Sequence, residues 1–193
     1  MKFEMNRKFI DNKMFRKKGF TLIEVMLAIS ILTIAVGGSF ALIQQTLIAA
    51  SLNQSELAAS YLMQEGIEIV RNIRDNNWLE QRTVPGTSWD DGLTSCQPPD
   101  YCCEGDYKTD VPPIFSSLTS FSTCGFNNLH YLNIDENGFY GYSEGAPTKF
   151  KRKINVTKVD NNTLEVSIEV QWSERGRDHS IKAQDYLYNW YGY

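Results

Sequence analysis

From Val25 to Ser55 the chain holds no charged residue over 31 positions, more than the roughly 20 that an α-helix needs to cross a bilayer. Phe20–Ile43 is the most apolar part, and Gln44 and Gln45 mark its exit toward polar surroundings. Gly37-Gly38 lies inside the run and lowers helix preference by roughly 1 kcal/mol per glycine relative to alanine. Such a pair serves either close packing or bending. Past Asn53 the pattern becomes one-sided. Leu62, Ile69, Val70 and Ile73 form a stripe at helical spacing, with Glu65, Glu68, Arg71 and Asp75 mostly off it. Glu68/Arg71 and Arg71/Asp75 are spaced to pair. The spacing predicts one helix from near Phe20 to about Asn76, roughly 85 Å long at 1.5 Å per residue. Half of it suits lipid, and half suits the spine of a soluble domain.

Residues 80–147 lose this periodicity. Pro85-Gly86, Pro98-Pro99 and Pro112-Pro113 act as breakers, and Asp135-Glu136-Asn137-Gly138 reads as a turn. The stretch predicts a long irregular connection with short elements. Strict alternation then appears. Leu164, Val166, Ile168, Val170 and Trp172 interleave with Glu165, Ser167, Glu169, Gln171 and Ser173, a strand with one buried and one wet face. Phe150, Ile154 and Val156 mark a strand before it, after which Asp160–Thr163 supplies turn residues. Ile181, Ala183 and Leu187 mark another, after a turn at Glu174–Asp178. An antiparallel meander of about three strands over 148–190 follows, and the amphipathic half of the helix is the element available to cover it.

Charge adds orientation. Residues 1–19 carry +5 and the remaining residues −9. A short basic head on an acidic body argues against a nucleic-acid partner with a broad basic face and keeps Arg16, Lys17 and Lys18 cytoplasmic while the rest crosses. A cleavable secretory peptide has an apolar core of only 7–15 residues with a cut after it. Here the run is longer, and cutting behind it would sever the spine.

The octet Lys17-Lys18-Gly19-Phe20-Thr21-Leu22-Ile23-Glu24 resembles the cleavage motif of type IV prepilins and type II secretion pseudopilins. In that family a membrane peptidase recognises the basic leader, cuts after the glycine and methylates the new N-terminus. The resemblance implies recognition at Lys17 and Lys18, a cut between Gly19 and Phe20, N-methylation of Phe20, and a registry role for Glu24 in assembly. It implies an α+β, type IV pilin-like fold: residues 1–19 as leader, 20–43 as transmembrane and assembly helix, and 44–193 as a soluble domain. The family often carries a helix-breaking proline in the apolar half. This chain has none there, and Gly37-Gly38 lies in that half instead. The implied partners are the peptidase/methyltransferase, other pilin or pseudopilin subunits in a helical filament, an inner-membrane assembly platform and lipid. The implied location is the inner membrane with the domain outside the cytoplasm, and a surface or periplasmic filament after assembly. Two alternatives stand beside the polymer-forming subunit: a minor, tip-located binding subunit using loop 80–147, and a signal-anchored protein that does not assemble.

Cys96, Cys102, Cys103 and Cys124 all follow the apolar run. Four cysteines in an exported region suggest up to two disulfides, with Cys102 and Cys103 each reaching out to Cys96 or Cys124. The spacing lacks the paired C-x2-C clips of a zinc site. Asp90, Asp91, Asp100, Glu104, Asp106 and Asp110 could hold calcium, as some major pseudopilins do, but no matching ligand pattern is present. The expectation is a solvated acidic loop and no cofactor. His130 and His179 sit in no metal or triad spacing and read as surface or turn residues. The aromatic tail Tyr186, Tyr188, Trp190, Tyr191 and Tyr193 reads as a packing edge or an exposed sticky surface. No phosphate-binding glycine loop, nucleophile elbow or HExxH is present, so a structural and not an enzymatic role is expected.

Overall fold

The computed structural model describes residues 19–105, 118–122 and 124–190, with only the backbone of Phe121. The chain divides into two compact units, 1–48 and 49–193. Helix α1, Leu22–Glu80, runs through both. Lys17, Lys18, Asp106, Asp110, Tyr191 and Tyr193 lie outside the described residues.

In the second unit, α1 buries Ser55, Ala59, Leu62, Gly66, Ile69, Val70, Ile73, Arg74, Asn77 and Trp78. These positions recur every three or four residues, which is the width of one helix face. They pack on an antiparallel sheet built from β1 (Cys102–Glu104), β2 (Thr119–Phe121), β6 (Phe150–Asp160), β7 (Thr163–Glu174) and β8 (Arg177–Tyr188), in the order β2-β1-β6-β7-β8. The fold is therefore α+β, a long N-terminal helix on a C-terminal antiparallel sheet. Leu164, Val166, Ile168 and Val170 of β7 are fully buried against the helix, with Ile154 and Val156 of β6 beside them. Burying a side chain of this kind contributes roughly 1.5–3 kcal/mol, so this layer is the main store of stability.

The sheet is wider than the three-strand meander read from the sequence, because the irregular connection contributes β1 and β2 at its edge. The connection also forms a second, three-stranded sheet from β3 (Asn133–Ile134), β4 (Tyr140–Gly141) and β5 (Ala146–Pro147), in the order β4-β3-β5. Strands of two or three residues are too short to show a period of two. The Asp135–Gly138 turn joins β3 to β4: Asp135 Oδ1 accepts from the Asn137 and Phe139 amides at 2.9 and 3.0 Å, and Gly138 takes φ 86°.

The helix–sheet contact is keyed at Gly66. A Cβ there would lie 3.0 Å from Ile168 Cγ2 and 3.1 Å from Arg152 Cδ. Arg152, on β6, is wholly buried. It donates to the Leu62 carbonyl at 2.9 Å and to the Gly105 carbonyl, and it meets Glu65 at 3.2 Å. A buried guanidinium is tolerated only when so partnered. Arg71 pairs with Glu68, as its spacing suggests, but not with Asp75. It reaches instead across to Asp185 of β8 at 2.9 Å, while Asp75 pairs with Arg74 at 2.8 Å. An inter-element partner has replaced the local one.

Candidate processing and assembly segment

The described chain begins at Gly19, and a Cβ placed there would meet nothing. Gly19, Phe20 and Thr21 precede the helix, and Phe20 is 81% exposed. Thr21 caps α1: its Oγ1 accepts from the Glu24 amide at 3.3 Å, and its carbonyl accepts from the Glu24 and Val25 amides at 3.1 and 3.2 Å. Glu24 thus holds the third position of a Thr-x-x-Glu capping pattern, a carboxylate in the first turn where helix amides favour negative charge. The sequence reading assigned Glu24 but passed over Thr21, although Thr21-Leu22-Ile23-Glu24 before an apolar run is the signature of such a start. Among the described residues, no cation pairs with the Glu24 carboxylate.

Every residue from Leu22 to Leu47 is exposed. The helix is long and apolar enough to cross a membrane, and its apolar window buries nothing within the chain. Its few hydroxyls are satisfied locally. Ser30, Thr33, Ser39 and Thr46 donate to the carbonyls of Leu27, Ser30, Ala35 and Ile43 at 2.8–2.9 Å. In a medium without water an unbonded hydroxyl is costly, so this back-bonding makes the polar residues compatible with lipid. The helix continues without a break through Gly37 and Gly38, and no atom approaches the place where either Cβ would stand.

The other candidate residues lie in the second unit. Cys96 and Cys103 form a disulfide, whereas Cys102 is a buried thiol and Cys124 a half-buried one. Of the described acids of the loop, Asp90 and Asp91 meet at Ser88. Asp90 receives Lys158 at 2.6 Å and the Ser88 hydroxyl, and Asp91 receives the Ser88 amide at 2.7 Å. Burial alone would raise the Asp90 carboxyl, but the bonds from Lys158 and Ser88 outweigh it and hold the group below its ordinary range. Glu104, buried, takes the His130 amide and lies 3.0 Å from His130 Nδ1. Among the described residues no three His, Cys, Asp or Glu side chains gather as a metal site. His179 stacks on Trp172 with centroids 5.5 Å apart. In the tail Leu187 is buried, Trp190 meets Trp78 edge-on at 4.7 Å, and Tyr186 and Tyr188 are exposed.

One polar cluster had no signal in the sequence. Glu174, at the end of β7, accepts from the Ser51 hydroxyl, from Ser55 Oγ at 2.6 Å and from Lys149 Nζ at 2.9 Å. The hydroxyl bonds from Ser51 and Ser55, then Lys149, hold its carboxyl at about 2. This clasp fastens the first turns of the second unit's helix to the end of its sheet.

Residues 14–40 match the family model described as the prokaryotic N-terminal methylation motif. No curated protein and no solved structure matches the chain. The matched span contains Gly19, Phe20, Thr21 and Glu24 and ends just beyond the glycine pair. It supports a type IV pilin-like family, whose members are structural subunits.

Proposed function

We propose that this chain, type IV pilin-like by its N-terminal methylation motif and its helix-on-sheet fold, is a prepilin-type structural subunit. A prepilin peptidase reads Lys17 and Lys18, cuts between Gly19 and Phe20, and methylates Phe20. The side-chain-free Gly19 suits passage through a protease cleft. The apolar half of α1 then anchors the protein in the inner membrane, with the folded domain outside the cytoplasm, until the helix transfers into a filament of other copies or related subunits. An assembly platform in the same membrane carries out that transfer. We assign the chain no catalytic role.

The observation that carries this reading is an apolar helix surface, exposed from Leu22 to Leu47, whose Glu24 carboxylate meets no cation among the described residues. A charged acid at mid-bilayer costs on the order of 2.5–3.5 kcal/mol, and less toward the interface. That cost favours a cation, and cleavage creates one at Phe20. Pairing Glu24 with the Phe20 amine of a neighbouring copy fixes the axial step between helices. A contact of that head-to-tail kind does not close on itself and builds a helical polymer. Mass spectrometry of the native N-terminus tests the claim: a start at N-methylated Phe20 is expected, and a start at Met1 overturns it. Glu24→Gln is expected to leave processing intact and abolish co-sedimenting filament.

A further inference from the structure

The Cys96–Cys103 bond uses only one member of the Cys102-Cys103 pair. Successive residues of a strand point to opposite faces. Cys103 pairs with Ile154 and belongs to the core under α1, so Cys102 and Glu104 lie on the far face of the sheet. There the Cys102 side chain is fully buried and in hydrogen-bond contact with that of Cys124. The backbone accounts for the meeting: Cys102 stands opposite Phe121 in the β1–β2 register, and Cys124 follows three residues later.

The chain beyond Cys124 is laid on the same face. Lys153 Nζ sits 4.5 Å over the Phe126 ring. Lys151 donates to the Phe126 carbonyl at 2.7 Å and lies 4.5 Å over Tyr131. Glu104 holds the His130 amide. These contacts fix the segment at several points, and Cys124 is its entry. The sulfurs are therefore not a chance encounter of two mobile ends. A zinc site built from the same corner would need Glu104 and His130 as co-ligands, but these two are engaged with each other, and no metal-sized cluster forms among the described residues.

We propose that Cys102 and Cys124 close a second disulfide on the far face of the sheet, stapling the segment after β2 to β1. This rests on the reading that the domain folds outside the cytoplasm, where such bonds persist. The oxidant is a disulfide-bearing exchange partner. The Cys124 thiolate, the more accessible, attacks one sulfur of that disulfide, forms a mixed disulfide and releases a thiolate. The Cys102 thiolate then attacks Cys124 Sγ, forms the new S–S bond and expels the second thiolate. Both cysteine sulfurs are oxidised, the partner's disulfide is reduced to two thiols, and the two cysteine protons end on those thiols. Burial, then the contact with Cys124, pushes the Cys102 thiol up to about 12 despite nearby Lys153. A thiol so raised and buried attacks slowly once β1 is packed.

The test uses the full-length protein extracted from membranes, alkylated under denaturing, non-reducing conditions and weighed intact. No alkylated cysteine is expected, and electron-transfer fragmentation should place the bonds at 96–103 and 102–124. Two alkylated residues with 96–103 intact would overturn the staple alone. Bonds at 96–102 and 103–124 would also overturn it. Four alkylated residues would overturn it together with the export reading. The variant carrying Cys96→Ser and Cys103→Ser should still show no alkylation of its two remaining cysteines. Should that variant not fold, Cys124→Ser should add one alkylated residue, and fragmentation should locate it at Cys102. Alkylation at Cys96 or Cys103 instead counts against the pairing.

Discussion

Two stretches of α1 can be set side by side. Between Leu22 and Leu47 every residue is exposed, whereas between Ser55 and Trp78 ten are buried. Both are helical and both are rich in apolar side chains. The first is apolar on all sides, the composition of a helix whose surroundings are lipid or other helices. The second is apolar on one face, and that face has its own sheet to meet. Glycine makes the contrast plainest. Gly66 is a tightly packed position where a methyl would touch Ile168 and Arg152, while Gly37 and Gly38 face open space. The same residue type thus records an interface already filled in one stretch and a surface left bare in the other.

Substitutions can break this contrast or sharpen it. All four tryptophans lie in the second unit, so urea unfolding of the full chain in detergent, followed by their fluorescence, reports on that unit. The largest effect is expected from Arg152→Ala, which removes the side-chain donor to the Leu62 and Gly105 carbonyls and the partner of Glu65. A loss of about 3–5 kcal/mol is expected, as when one partner of a buried charged network is deleted. A loss under about 1 kcal/mol would mean that Arg152 does not hold helix to sheet. Next comes Gly66→Val, where overpacking should cost about 1–3 kcal/mol. Gly37→Val should leave the same transition in place, and if both variants unfolded alike, the division between the stretches would be wrong.

Smaller and more local is Thr21→Ala. Losing an N-cap costs about 1 kcal/mol, and it should appear as faster hydrogen exchange at the Glu24 amide with no change in tryptophan-detected unfolding. The smallest effect depends on pH. Glu174 is held at about 2 in the folded protein against roughly 4.3 for an unperturbed glutamate. Its contribution is present above the unfolded value and is lost as pH falls through the folded one. Glu174→Gln should therefore lower stability slightly at about pH 6–8, where the contribution is fully present, and flatten the stability profile between about pH 4.5 and pH 2, where the wild-type protein loses it. An unchanged acid limb would rule out the clasp.

Much of this was readable from residue order. The alternation from Leu164 to Ser173 marked β7 because one face of that strand is dry and the other wet. The stripe from Leu62 to Ile73 marked the packed face of α1 for the same reason. Arg152 escaped notice because it occupies a core-facing step between Phe150 and Ile154, yet counting apolar residues passes over a guanidinium. Its burial depends on carbonyls from two distant segments. The Glu174 clasp joins residues more than a hundred positions apart, and β1 and β2 are too short to show a period. At the candidate site, Glu24 stood out as a lone acid in an apolar run, whereas Thr21 was legible only as part of a four-residue start signal.

The hydroxyls of the exposed stretch have a further consequence. Because Ser30, Thr33, Ser39 and Thr46 each turn their proton inward to a carbonyl of their own helix, they offer an approaching molecule only lone pairs. Such a surface can receive a proton donor but cannot supply one. With their protons satisfied internally, the hydroxyls carry no unmade donor into hydrocarbon, so the helix keeps its few polar groups at little desolvation cost.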